Sequence, residues 1–364
     1  MKDKMTKFLL ENANPSIKRR VKCEVLNKLT SEEAAQYQEE IMTELIVQKI
    51  IACQKDNGWI GDSFHGGLDT QEGGTKYLAA KALNKDTSVL KRSMDAFVNI
   101  PLDDWCYDTR GKIIDEFKMA GHGHNLIRCA CIARAGYDDV IDIAPQIQLS
   151  IDSFRRVLEV DSALDISRPI QGGKHRVFNE GEKWACRYHL DILAHTSSWK
   201  NEENIKIIAD SVAKMMKTDR PELVNLNPAV WVGHVLGRLG GFPAQGLTVK
   251  AACHLPSPMS IPYRDRPELY NFEYIEMFAR CGIVPYIPIL REAVEDIVNS
   301  VDDDGICRIP VLEDIFKGWG AYAGLQLEVD WKSKIRKACD ITFRALLILH
   351  YSEQRHHKKV NAFA

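Results

Sequence analysis

Apolar residues recur at three- and four-residue steps along most of the chain, the spacing that puts them on one face of an α-helix. The cleanest case starts at Thr30, which stands three residues before Glu33 as in a capping box. Behind it Ile41, Met42, Leu45, Ile46, Ile50 and Cys53 form one stripe and predict a helix over 31–53. Leu126, Ile127, Ala130, Cys131 and Ala135 form another, with Gly136 where a left-handed C-terminal stop belongs. Residues 182–195 repeat the pattern, with Trp184, Tyr188, Ile192 and His195 on one side. After Thr196-Ser197-Ser198 it restarts through Ile205, Ile208, Val212, Met215 and Met216, and so short a link predicts antiparallel neighbours. Further helices are expected over 73–84, 87–99, 143–158, 222–239, 267–281 and 288–300. A last one carries Ile335, Ala338, Cys339, Thr342, Phe343, Leu346, Leu349 and His350.

Alternating β patterns are scarce. The stretch from Leu255 to Pro267 holds four prolines and reads as a loop. No linker rich in Gly and Ser divides the chain. These features predict one all-α domain over 1–351, followed by a loose, solvated tail over 352–364 that contains Arg355-His356-His357-Lys358-Lys359.

A weak internal repeat is visible. Gln54-Lys55-Asp56-Asn57-Gly58-Trp59-Ile60-Gly61 joins the end of one helix to the next, and Asp302-Asp303-Asp304-Gly305-Ile306-Cys307 holds a similar place late in the chain. The first block, with the helix at Thr75-Lys76-Tyr77-Leu78-Ala79-Ala80, resembles the Gln-x-x-x-Gly-Trp/Phe repeats of the terpenoid cyclase and protein prenyltransferase superfamily. The resemblance is strong over about 30 residues and extends loosely over the helical hairpins. It implies an α/α toroid, an inner ring of helices wrapped by an outer antiparallel ring. It also implies that the Gln caps helix ends while the aromatic ring stacks on it.

The chain departs from that family where the chemistry is done. The Asp-x-Asp-Asp tetrad of protonating cyclases does not occur: Asp302-Asp303-Asp304 lacks the spacing, and Asp103-Asp104 and Asp138-Asp139 are pairs. Asp138-Asp139-Val140-Ile141-Asp142 has the spacing of a magnesium motif, in what reads as a turn. The resemblance to prenyltransferase catalytic subunits implies zinc at Asp104 and Cys106, with His189 as the distant ligand. Carboxylate, thiolate and imidazole suit zinc, and three ligands leave a position open. Cys106 equally reads as a small core residue and Asp104 as a helix cap.

Other residues carry candidate acid–base chemistry. His65, His122 and His124 lie in glycine-rich loops, where a substrate can approach the backbone of a neighbour to imidazole. Glu182, Tyr188, His189 and Asp104 complete the catalytic candidates, and Glu182 reads equally as a favourable charge at a helix start. Trp59, Trp105, Trp184, Trp231 and Trp319 are candidate aromatic walls for a substrate. Arg187 stands four residues before Asp191, the spacing of a surface ion pair or of a cavity wall. Arg168 opens a basic loop, Arg168-Pro169-Ile170-Gln171-Gly172-Gly173-Lys174-His175-Arg176, suited to a phosphate or carboxylate.

Composition narrows the classes. The chain has 364 residues and a formal net charge of -2, from 48 basic and 50 acidic side chains, so no whole-chain field favours nucleic acid. Hydrophobic residues make up 45% and charged ones 27%, which excludes a largely disordered chain. Neither a secretory signal nor a membrane-spanning run is read, and ten scattered cysteines fit reduced core thiols in a cytoplasmic protein. Three functions stay open. The first is a toroid enzyme acting by proton transfer on a largely apolar small molecule in a central cavity. The second is a carbohydrate-active toroid: a hydrolase, lyase or epimerase. The third is a toroid that only binds a ligand or partner.

Overall fold

The computed structural model describes residues 1–100, 124–161, 165–170, 175–179, 182, 185–217, 230–231, 238–239, 271–311, 313–320 and 323–360. The chain is mostly helical. By its internal contacts it separates into two compact units, one of residues 1–100 with 264–364 and one of residues 101–263.

In the first unit, α1 (Lys2–Asn12) is followed by α2 (Pro15–Arg20), which continues into a π turn over Val21–Val25. The helix expected over 31–53 is two helices, α3 (Ser31–Met42) and α4 (Leu45–Ala52). Thr30 makes the expected capping box with Glu33. The break falls where Thr43 turns its hydroxyl back to Glu40 O and Glu44 takes an extended ψ of 133°. Periodicity misses it because the apolar steps continue across the break. Leu45 is exposed in consequence, and Val47 and Ile50 face the core. Next come α5 (Gln71–Ala80) and α6 (Ser88–Asn99). Residues 264–364 supply α11 (Phe272–Cys281), α12 (Pro288–Asn299), the short α13 (Glu313–Phe316) and the 27-residue α14 (Lys334–Val360). This last helix runs on through Val360, beyond the start of the expected tail at 352. It packs against α1, α11 and α12. Among the described residues, no helix is long and apolar enough to cross a membrane.

The internal repeat is plain in the backbone of this unit. Lys55 N donates to Trp59 O at 2.8 Å, and Asp302 N donates to Ile306 O at 3.0 Å. Gly58 N closes on Lys55 O, and Gly305 N closes on Asp302 O. Gly61 N reaches back to Cys53 O, and Arg308 N reaches back to Ser300 O, both at 2.9 Å. Gly58 and Gly305 share the left-handed conformation, with φ of 87° and 81°. Each turn rests on a helix backbone: a Cβ on Gly58 would lie 2.1 Å from Arg92 O, and one on Gly305 would lie 2.4 Å from the Lys4 carbonyl carbon. Even the cation over the turn is repeated, since Arg92 donates to Lys55 O and Asp56 O while Lys4 donates to Asp303 O. Thus α1 stands beside the second turn as α6 stands beside the first. Gln54 bonds Gly58 O and Val89 O as a helix-end cap, whereas Val301 occupies its place in the second copy.

The second unit contains α7 (His124–Arg134), α8 (Ala144–Glu159), α9 (Arg187–His195) and α10 (Glu202–Lys217). Gly136, at φ 68°, ends the first of these as expected. The expectation that α9 and α10 pack side by side is corrected: α10 packs chiefly along α8, and α9 lies against α7 and α8. Trp199 Nε1 donates to Leu193 O and Thr196 O, which folds the link onto the end of α9 and turns the chain away.

The all-α reading also needs a small amendment. Four short strands form one sheet in the order β1 (Ser167–Ile170), β2 (His175–Phe178), β3 (Val230–Trp231), β4 (Arg238–Leu239). The first and last pairs are antiparallel, and β2 runs parallel to β3. The described parts of the basic stretch at Arg168, 167–170 and 175–178, are therefore paired strands in place of the expected open loop, and the helix expected over 222–239 is replaced at its described residues by strands. Strands of two to four residues are too short for alternation to show.

Candidate acid–base site at the head of α5

The N-terminal turns of α5 are assembled by a loop that folds back over them. Thr70 caps the helix through Gly73 N and donates its hydroxyl to Gly67 O. Gln71 N donates to Ser63 O and Glu72 N donates to Phe64 O, so the first helical N–H groups are satisfied by loop carbonyls. This approach requires glycine. A Cβ on Gly73 would sit 2.1 Å from Gly67 O, and one on Gly74 would sit 2.9 Å from Leu68 O. Gln71 locks the helix to the repeat turn, accepting from Ile60 N at 2.7 Å and donating to Ser93 O and Oγ. Every residue from Gln71 to Leu78 is buried.

The consequence is a polar group inside an apolar setting. His65 Nδ1 lies 2.5 Å from Glu72 Oε2, and Lys76 Nζ lies 3.5 Å from Glu72 Oε1. The Glu72 and Lys76 side chains are 0% and 2% exposed, whereas that of His65 keeps 20%, so only the imidazole reaches solvent appreciably. Trp59, Phe97 and Phe64, the residue before His65, cluster with ring centroids 5.8–6.2 Å apart. On the same helix Tyr77 meets Trp319 edge to face at 4.9 Å, and Gly320 pairs with Gly67 through an isolated β-bridge. A buried carboxylate on Nδ1 fixes the orientation of the ring.

Of the sequence candidates, the structure thus gathers His65, Trp59 and Trp319 around α5. Glu72 and Lys76 were missed. Four residues apart, they read as an exposed helix pair, and the loop folded over the helix contributes to their burial.

The remaining candidates are distributed otherwise. Asp104, Trp105, Cys106, His122 and Trp184 lie outside the described residues, as does Asp103. His124 begins α7, Arg168 lies in β1 and Trp231 in β3. Glu182 precedes α9 and is not at a helix start; both its oxygens are held by the Arg156 guanidinium, at 2.8 and 2.9 Å. Arg187, Tyr188 and His189 occupy the first turn of α9 and are buried. His189 Nδ1 accepts from Cys186 N. Asp191 is gripped by Arg134 Nε through both oxygens, and His195 Nδ1 lies 3.1 Å from it. Asp142 accepts from Ala144 N and caps the turn before α8. Among the described residues, no group of three or more His, Cys, Asp or Glu side chains is placed to hold a metal ion. The eight cysteines among them are free thiols, six of them buried.

A second buried network was also missed. Glu24 accepts from Arg20, Arg280 and Tyr351, while Glu276 accepts from Arg280 and Arg344. The arginines overcome burial, holding Glu276 down at about 2 and Glu24 lower still. These bonds tie α2, α11 and α14 together.

Comparison of the chain with family models, curated proteins and solved structures gives no match.

Proposed function

We propose that this chain is an enzyme of the α/α-toroid type that moves protons on a largely apolar small molecule, with His65 as the acid–base group. The observation that carries the reading is the pairing of a partly exposed imidazole with the fully buried Glu72 carboxylate, backed by Lys76. In this reading Glu72 holds Nδ1–H and Nε2 exchanges the proton with substrate. Trp59, Phe64 and Trp319 supply apolar and π surface near a charge that develops on the substrate. The toroid itself rests on the family resemblance and is supported by the duplicated turn, in which two helix pairs meet the same hairpin in the same way.

Proton transfer at carbon leaves a label in heavy water. Wild-type protein and a His65→Asn variant would be incubated in D2O with a library of apolar metabolites, followed by mass spectrometry. The expected result is a compound that gains deuterium with wild type and does so at least ~10²-fold more slowly with the variant. Equal labelling by both proteins, or labelling of nothing, would overturn the reading.

A further inference from the structure

The far end of α5 is anchored in another polar cluster, chemically separate from His65 and Glu72. Lys81, just past the helix, is fully buried and donates to Glu44 Oε2 and Leu327 O, each at 2.5 Å. Asp340 on α14 is fully buried too, accepting from Leu327 N at 2.7 Å, Glu328 N at 3.2 Å and Trp331 Nε1 at 2.7 Å. Glu328, 5% exposed, accepts from Asn14 N at 2.8 Å, and Asn14 Nδ2 donates to Leu327 O. Residues 327–331 are thereby stitched at once to α14, to the end of α5 and to the start of α2.

The charges in this cluster do not balance. Among the described residues, three carboxylates, Glu44, Glu328 and Asp340, face the ammonium of Lys81, and Lys18 reaches the cluster only at Cys339. Arg344 faces Asp340, but its hydrogen bonds go to Glu276 and Leu325 O. Arg336 faces Glu328, but it pairs with Asp330 at 2.7 Å. Tyr77 faces Glu44 and Asp340, and Cys339 faces Glu328 and Asp340; neither adds positive charge. Burial first, and then the neighbouring Asp340, push Glu328 up to about 7; burial pushes Asp340 up to about 6.

We propose that Glu328 and Asp340 form a proton-operated latch: a proton held by the pair keeps residues 327–331 and the start of α2 closed on α14, and its loss releases Glu328 and Asn14 to water. Glu328 is the moving part, since Asp340 is held by three N–H donors. The released proton goes to solvent and no bond is made or broken. The latch adjoins the candidate site through Gln326, whose carbonyl accepts from Trp319 Nε1, yet it stands without the catalytic reading.

Hydrogen exchange read by mass spectrometry on the full chain tests it, between about pH 5.5 and about pH 8. After correction for the intrinsic rate, protection at Asn14, Leu327 and Glu328 should fall at least about tenfold over that range in wild type. Peptides from α9 and α10 should hold their protection. Glu328→Gln keeps an oxygen for Asn14 N and cannot ionise, so it should flatten the step. Wild-type protection that follows the intrinsic rate alone, or a full step retained in Glu328→Gln, would overturn the latch. Should the variant not fold, the wild-type series decides.

Discussion

Gly73 controls the candidate site by what it lacks. Its missing Cβ is the space taken by Gly67 O, and that fit lets the loop carrying His65 lie on α5. Gly73→Ala should destabilise the protein by ~1–3 kcal/mol or more in urea unfolding, because the clashing atom is backbone and cannot swing aside. It should also slow proton transfer by displacing His65 from Glu72. An unchanged unfolding midpoint would mean that the loop does not rest on the helix as described. The loop at His65 was legible from sequence because the glycines beside it mark a turn. Glu72 and Lys76 were not, because a loop folded over the head of α5 helps to bury them, and it leaves no periodic trace in residues 71–80.

Among elements, the capped starts and glycine stops were legible: the Thr30 box and the stop at Gly136 need only neighbours in sequence. The break at Thr43–Glu44 was not, since Glu44 is drawn out by Lys81, far along the chain. The partner of α10 was misjudged for the same kind of reason, as Trp199 decides where the chain turns. The repeat was legible in its first copy alone. The second has lost the Gln and the Trp but kept the glycine, because the positive φ and the close helix demand glycine while the cap can be dispensed with. Gly58→Ala and Gly305→Ala should therefore both destabilise, by at least ~1 kcal/mol each. Only the second should loosen α1, read as faster proteolytic cleavage within residues 1–12. Equal cleavage in both variants would argue that the two turns do not hold different helices.

For the whole molecule, two sets of ion-paired or buried carboxylates pull the pH dependence of stability in opposite directions. Glu24 and Glu276 have folded pKa values below their ordinary ones, so their stabilisation is full above about pH 4.5 and is lost as the pH falls toward about 2. Glu328 and Asp340 have folded values above their ordinary ones, so the folded state binds protons more tightly. Their contribution is full at low pH and is lost as the pH rises from about 4 to about 7. The melting temperature should therefore peak near about pH 5 and decline toward neutrality. Glu328→Gln should soften the decline and leave the acid limb in place. A melting temperature still rising from pH 5 to pH 7 would contradict both directions taken together.

The seating of α1 against the turn at Gly305 has a consequence in time. Lys4 and Asp303 meet across 299 positions of chain. On a ribosome α1 is made long before the turn that receives it. Until then its apolar face, Met5 and Leu9, has no slot to fill. The first turn, by contrast, finds its helix within some forty residues and can close while synthesis continues. The loop around His65 can thus close soon after it is made, and the nascent chain carries an unsatisfied α1 until the later turn arrives to cover it.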